Sequence, residues 1–321
     1  MSKRIERVVT PEEIKAARKV WMQFPLDRVG SKLAELMGLP AVKTTLKAEV
    51  RNRRMEDDGI VVEDIWFESE PGTLVPTFLC YPKNLRMPAP AILCIHPTGG
   101  NRNHLDEKGY RHEAPMLYGW GRELARRGFV TFFPTCHSFG ERRELGEKWE
   151  DNVLHMILWC RSAASWLVWD AIRCLDYLET RPEVDANRLG CMGFSLGGIT
   201  TWMTMAVDKR IKVGVPVGGA LGSWVGKPKG HTAYLYLPNV LRHFDQPQVV
   251  ASIAPRALLV IHSLLDGYVS NESVVEMETY AKSFYEKLAA NERFKVHMPP
   301  GEHDLTPEIL DLSTDWFRRW L

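Results

Sequence analysis

No stretch of the 321-residue chain approaches eighteen uncharged apolar residues, which excludes a membrane-spanning helix. Neither sign of charge dominates: 41 Lys and Arg stand against 40 Asp and Glu, a net charge of +1. Such balance gives no reason to expect a nucleic acid or an anionic membrane as partner. The opening residues, Met1-Ser2-Lys3-Arg4-Ile5-Glu6-Arg7, lack the apolar run of a signal peptide, so a cytoplasmic location is expected. Cysteine is scarce. Cys80, Cys94, Cys136, Cys160, Cys174 and Cys191 have no paired short spacing and lie mostly in apolar runs, as free thiols of a reducing compartment would. There is no H-E-x-x-H, and the ten histidines lack paired ligand spacing. Gly99-Gly100 is not a dinucleotide fingerprint, and no G-x-x-x-x-G-K-[ST] loop occurs. No metal or cofactor is therefore expected.

What is present is a regular alternation of short apolar runs and amphipathic stretches. Thr10-Pro11-Glu12-Glu13 opens a helix over 11–23 with a cap, a proline and acidic residues. Residues 24–55 mix short helical and loop signals. Strands are expected at 60–68 and 74–81, broken by Pro71-Gly72 into a hairpin-like pair. Ala91-Ile92-Leu93-Cys94-Ile95 is apolar without interruption, as a strand covered on both faces should be. The pattern continues with a helix over roughly 115–127, a strand at 129–133 and a helix over 162–180, in which Val168, Ile172, Leu175 and Leu178 share one face. Strands at 188–192, 213–217, 257–261 and 294–298 then alternate with helices at 198–206, 272–289 and 305–320. This repetition predicts an α/β fold, a mostly parallel sheet with helices on both faces. Residues 1–54 are expected to form a largely helical extension and 55–321 the main domain. Segments 141–165 and 221–250 are candidates for a rim over a site.

Gly193-Phe194-Ser195-Leu196-Gly197 lies between the strand at 188–192 and the helix at 198–206. Strand, serine turn and helix in that order suit a nucleophile held exposed on a sharp bend. A serine hydroxyl needs a base to take its proton, and the base needs an acid to fix its tautomer. In an open parallel sheet such groups gather beyond the carboxyl ends of strands. Asp266 follows the strand at 257–261 and His303 follows the strand at 294–298, giving the chain order serine, acid, histidine. Glu302 and Asp304 flank His303 and are alternative orienting acids. Asp266 is preferred, because a side chain adjacent in sequence seldom points back at its neighbour's ring. The oxyanion donors expected are the N–H of Leu196 and one from His96-Pro97-Thr98-Gly99-Gly100. Pro97 has no N–H, so Thr98 is the first choice and Gly99 the second. His96 is expected to support this loop. His96, His137, Trp159 and Trp224 are the candidates for substrate contact, with Cys136 as a wall. Trp149, Trp159, Trp166 and Trp169 fit either pocket or core.

Taken together, the strand pair at 60–81, His96 through Gly100, Pro134 through Gly140, Arg188 through Gly198, Ala254 through Leu259, Asp266 and Gly301-Glu302-His303 carry a resemblance over roughly 55–321. The chain resembles the α/β-hydrolase superfamily, and within it the dienelactone hydrolase-like and acetyl xylan esterase-like branch. The resemblance implies a serine carboxylic ester hydrolase acting on a small ester, with Ser195 as nucleophile, His303 as base and Asp266 as its orienting acid. It implies Leu196 and the Thr98 loop as the oxyanion hole. Two features depart from the pattern. Pro97 stands where the family's loop commonly has glycine after its histidine, and a serine replaces the cysteine nucleophile of dienelactone hydrolases proper. The extension over 1–54 is not a general family feature; edge shielding or dimerisation is its expected role. A peptidase or amidase on the same fold, and a non-catalytic binding protein, are the rival readings, and a homodimer is a reasonable expectation.

Overall fold

The computed structural model describes residues 11–106, 109–111, 116–143, 148–225 and 230–321. In chain order the elements are α1 (Pro11–Gln23), α2 (Val29–Met37), β1 (Glu49–Met55), β2 (Ile60–Glu70), β3 (Thr73–Pro82), β4 (Ala89–Ile95), α3 (Arg102–Asp106), β5 (Gly109–Arg111), β6 (Met116–Tyr118), α4 (Trp120–Arg126) and β7 (Val130–Pro134). There follow α5 (Trp149–Leu158), α6 (Ala163–Leu178), β8 (Val184–Phe194), α7 (Leu196–Val207), β9 (Ile211–Val217), α8 (Gln246–Ala251), β10 (Ala257–Ile261), α9 (Asn271–Lys287), β11 (Phe294–His297) and α10 (Pro307–Trp320).

Nine strands form one sheet in the order β1-β2-β3-β7-β4-β8-β9-β10-β11. From β7 to β11 all neighbours are parallel, while β1, β2 and β3 meander antiparallel at one edge. The alternation of side chains explains the uninterrupted apolar runs. Ala91, Leu93 and Ile95 of β4 pack into the core shared with α2, α6, α7, α8 and α9, whereas Ile92 and Cys94 face the core of α4 and α10. On β8, Leu189 and Cys191 point one way, and Met192 and Phe194 the other. Both faces are covered, so neither requires polar residues.

The stripe Val168, Ile172, Leu175 and Leu178 on α6 is buried as its spacing predicts. Three local expectations differ. Gly119, at φ 73°, starts the helix expected over 115–127, which spans only α4; Met116–Tyr118 pairs instead with Gly109–Arg111 in a two-stranded ribbon, and residue 115 lies outside the described residues. The strand leading to Ser195 begins at Val184 rather than 188. Between 24 and 55 the chain forms α2 and the edge strand β1. α2 buries Val29, Leu33 and Met37 in the core that also contains Trp202 and Met205 of α7. β1 is almost wholly exposed and reads Glu-Val-Arg-Asn-Arg-Arg-Met, so it carries no alternating apolar signal. Charges on an edge strand discourage pairing with another chain.

Candidate active site

The sharp turn at Ser195 is built from close approaches. Ser195 sits at φ 56° and ψ −114°, a backbone region that L-residues adopt only under constraint. Its N–H donates to the Val217 carbonyl (2.8 Å), and its carbonyl accepts from Ile199 N–H (3.0 Å) as α7 begins. A Cβ at Gly197 would lie 2.0 Å from the Ile95 carbonyl oxygen, and one at Gly193 would lie 2.2 Å from the Gly197 oxygen. Glycine at these two positions lets the start of α7 press onto the ends of β4 and β8, which holds the serine at the rim of the sheet.

His303 Nδ1 and Asp266 Oδ2 are hydrogen-bonded at 2.7 Å. Of the three carboxylates considered from the sequence, Asp266 is the one that meets this imidazole. Backbone bonds stitch the two loops together: Leu264 N–H donates to Pro299 C=O and Leu265 N–H to Gly301 C=O, each at 2.9 Å. Tyr268 N–H donates to Asp266 Oδ1 (3.1 Å). Burial raises the Asp266 pKa, but the hydrogen bond and positive potential of His303, with Tyr268 N–H, pull it below its ordinary value. The carboxylate is thus kept ionised although almost no solvent reaches it.

The imidazole of His303 packs against the Phe194 ring (centroids 4.8 Å) and takes the edge of Tyr268 (4.6 Å). A Cβ at Gly218 would lie 2.8 Å from its Cε1. Phe194 precedes Ser195, and Gly218 follows the residue that accepts the Ser195 N–H, so serine, histidine and acid share one end of β8, β9 and β10. With Nδ1 donating to Asp266, Nε2 carries the free lone pair; this atom is buried and has no hydrogen-bond partner.

Leu196 is the first residue of α7, where backbone N–H groups lack intrahelical acceptors. Across from it, Pro97 to Gly100 form a turn in which Gly100 N–H donates to Pro97 C=O (3.0 Å) and Gly99 takes φ 79°. The turn uses the Gly100 donor and leaves the Thr98 and Gly99 N–H groups out of its own hydrogen bond. His96 anchors the turn. Its Nδ1 pairs with Pro97 C=O (2.7 Å) and its Nε2 accepts from Cys136 N–H (2.8 Å), so both ring nitrogens are engaged within the protein. Burial brings the His96 pKa down to about 4, and the neutral ring carries its proton on Nδ1. His96 therefore supports the loop and has no nitrogen left for substrate.

Two residues past the loop, at the start of α3, Arg102 is buried. Its guanidinium pairs with Asp64 and Glu141 (2.8 Å to the latter) and lies over the Phe78 ring at 4.2 Å. Nothing in the local sequence pointed to Arg102, because its partners lie 38 and 39 residues away. Tyr268 and Gly218 were likewise not singled out, although each lies within a few residues of a strand end.

The other candidates separate by burial. His137 stacks on Trp166 (centroids 3.7 Å, 12° between planes) and pairs with Ser138 Oγ (3.0 Å). Burial, with the charges of Arg142 and Arg161, lowers its pKa to about 3, so the ring is neutral. Burial pushes the Cys136 thiol well up, which suits a wall and not a thiolate. Trp224 is buried, with Nε1 donating to Leu235 C=O (2.8 Å), and lines a cavity of about 240 Å³ together with Leu235, Leu237 and Val240. Neither Ser195 nor His303 lines that cavity. Trp159 is 72% exposed at the end of α5. All six cysteines are free. Among the described residues no group of three or more His, Cys, Asp or Glu side chains is placed to hold a metal, and no helix is long and apolar enough to cross a membrane.

Residues 121–303, more than half of the chain, match the prolyl oligopeptidase family. The chain belongs to that family. Its match spans the serine turn, the acid loop and the histidine. Within this α/β-hydrolase setting the chain is 26% identical over 290 residues to YtaP of Bacillus subtilis (strain 168), whose name marks it a hydrolase; the alignment covers 88% of this chain and 93% of that protein. The acetyl xylan esterase from Paenibacillus sp. R4 superposes with a TM-score of 0.65 at 18% identity, over 96% of this chain and 99% of that one. A glucuronoyl esterase from Solibacter usitatus superposes with a TM-score of 0.67 at 15% identity, over 90% and 91%. These likenesses show that the prolyl oligopeptidase family member described here shares the α/β-hydrolase fold with acetyl xylan and glucuronoyl esterases.

Proposed function

We propose that this protein is a serine carboxylic ester hydrolase that acts on a small ester through an acyl-enzyme. The observation that carries the reading is the 2.7 Å pairing of His303 with Asp266 beside a serine held at positive φ. Ser195 Oγ attacks the ester carbonyl while His303 Nε2 takes its proton, and Asp266 stabilises the imidazolium through Nδ1–H. The carbonyl oxygen, now anionic, accepts from Leu196 N–H and from Thr98 or Gly99 N–H. The tetrahedral intermediate collapses as the C–O bond to the alcohol breaks, and Nε2–H protonates the departing oxygen. Water then attacks the acyl-serine with the same base, releasing the acid and restoring Ser195. The names of the structural neighbours, all esterases among those compared above, favour an ester over an amide.

The rim reading of 141–165 and 221–250 is supported by Trp149, which stacks on Tyr234 at 5.1 Å and so ties the two segments together. Parts of both segments, 144–147 and 226–229, lie outside the described residues.

Membership of the prolyl oligopeptidase family gives the peptidase reading a footing of its own. Parallel turnover of p-nitrophenyl acetate and an aminoacyl-p-nitroanilide separates the two. The ester should be cleaved faster, and faster anilide cleavage would make the protein a peptidase. A fluorophosphonate should label the wild type and not S195A, whose kcat should drop by about 10⁴-fold or more. Absence of labelling in the wild type would leave a binding protein on a hydrolase scaffold.

A further inference from the structure

Asp266 lies between two imidazoles. His303 bonds its Oδ2 at 2.7 Å, and His262 Nδ1 stands 4.0 Å from the same oxygen. His262 follows the last residue of β10 and is buried, with 3% of its side chain exposed. Its backbone N–H donates to His297 C=O (3.0 Å), which fixes the ring's point of attachment to the neighbouring strand. The other ring nitrogen, Nε2, pairs with Asn271 Oδ1 (3.1 Å) at the start of α9. Asn271 Nδ2 donates to Leu264 C=O (3.1 Å), and this orients the amide so that its oxygen faces the ring. An amide oxygen only accepts, so Nε2 of His262 must carry the proton. In the neutral ring Nδ1 is then a bare lone pair turned toward a carboxylate, and no bond forms across the 4.0 Å.

A second proton changes that arrangement. Nδ1–H becomes a donor aimed at an oxygen that already accepts from His303. Burial opposes the charged His262 ring most strongly; among the described residues Asp266 and the Asn271 hydrogen bond favour it and His303 opposes it. The net effect holds its pKa below the ordinary value, so the second proton binds on the acid side.

We propose that His262 is a positioning residue for the triad acid: neutral, it leaves Asp266 Oδ2 to His303, and protonated at Nδ1 it draws that oxygen away. The inference rests on the esterase reading above. It makes the loss of activity in acid a two-proton event, in which one proton occupies Nε2 of His303 and the other turns His262 into a competitor for the acid.

The test is the pH dependence of kcat/KM for p-nitrophenyl acetate. In the wild type, log kcat/KM should approach a slope of two on the acid side. H262Q keeps a side-chain amide that can donate to Asn271 but has no proton to gain, and its acid limb should have a slope of one whatever its absolute rate. A slope of one in the wild type, or a slope of two kept by H262Q, overturns the proposal. A second measurement needs no variant. The strongly deshielded proton of the His303–Asp266 bond should vanish from the wild-type NMR spectrum as the His262 ring titrates. Its persistence through that titration would also overturn the proposal. Fluorophosphonate labelling at pH 8 separates the two levels: an unreactive Ser195 sinks the esterase reading, whereas normal labelling with a one-proton acid limb sinks only the role of His262.

Discussion

At the scale of single residues, burial holds His96 and His137 in the neutral form. His96 shows the cost. Its ordinary pKa is 6.5 and its folded value about 4, so between these values the unfolded chain binds a proton that the folded one refuses. Stability contributed by the neutral ring is complete above about pH 6.5 and is lost as the pH falls toward 4. The separation is worth about 3 kcal/mol. Asp266 acts in the same sense at lower pH, since its pKa is depressed and its contribution disappears only when the folded carboxylate is protonated. Urea unfolding should therefore show wild-type stability dropping by about 3 kcal/mol from His96 alone across that window. H96N should begin less stable at pH 7 but decline less. An equal decline in the variant would mean that the ring takes up its proton in the folded state as easily as when free.

At the scale of elements, the turn between β8 and α7 works because the helix start touches two strands with no side chain between. G197A places a methyl group where the Ile95 carbonyl oxygen now stands 2.0 Å away, and neither backbone can yield independently. The helix must back out of the sheet, which should cost about 3 kcal/mol. A lower Tm together with weaker fluorophosphonate labelling is the expected outcome. A variant that labelled and melted like the wild type would show that the elbow tolerates displacement. This element was legible in advance because its requirements are local: glycines at set offsets, a strand before and a helix after. β1 was not legible, because an exposed charged edge strand has no apolar alternation and owes its conformation to pairing with β2. The ribbon of β5 and β6 was lost in a helix expectation because Met116-Leu117-Tyr118 is apolar, and only its partner five to nine residues upstream makes it a strand.

At the scale of the molecule, α2 is part of the core and not an appendage. Gly30 of α2 approaches the Ala206 carbonyl of α7 so closely that a Cβ would stand 2.3 Å from its oxygen, and Val29, Leu33 and Met37 have no exposed surface. Deleting residues 1–38 would uncover those contacts, each worth about 1.5–3 kcal/mol. The truncated chain should melt well below the full one or fail to remain in solution. Retention of the full Tm would show that the segment contributes nothing to the fold.

The amino-acid order by itself determined the layered α/β architecture, because burial on both faces writes itself as short continuous apolar runs. It also singled out Ser195, Asp266 and His303, since each sits in a short loop directly after such a run, and the fold gathers those loops at one end of the sheet. Tertiary structure alone decided how those groups are braced. Arg102 reaches Asp64 and Glu141 across the fold, His96 joins its own loop at Pro97 to the loop at Cys136, and His262 faces Asp266 from a second side. Such pairings join residues distant in the chain, and their partners are chosen by packing geometry, which leaves no periodic or motif-like trace along the sequence.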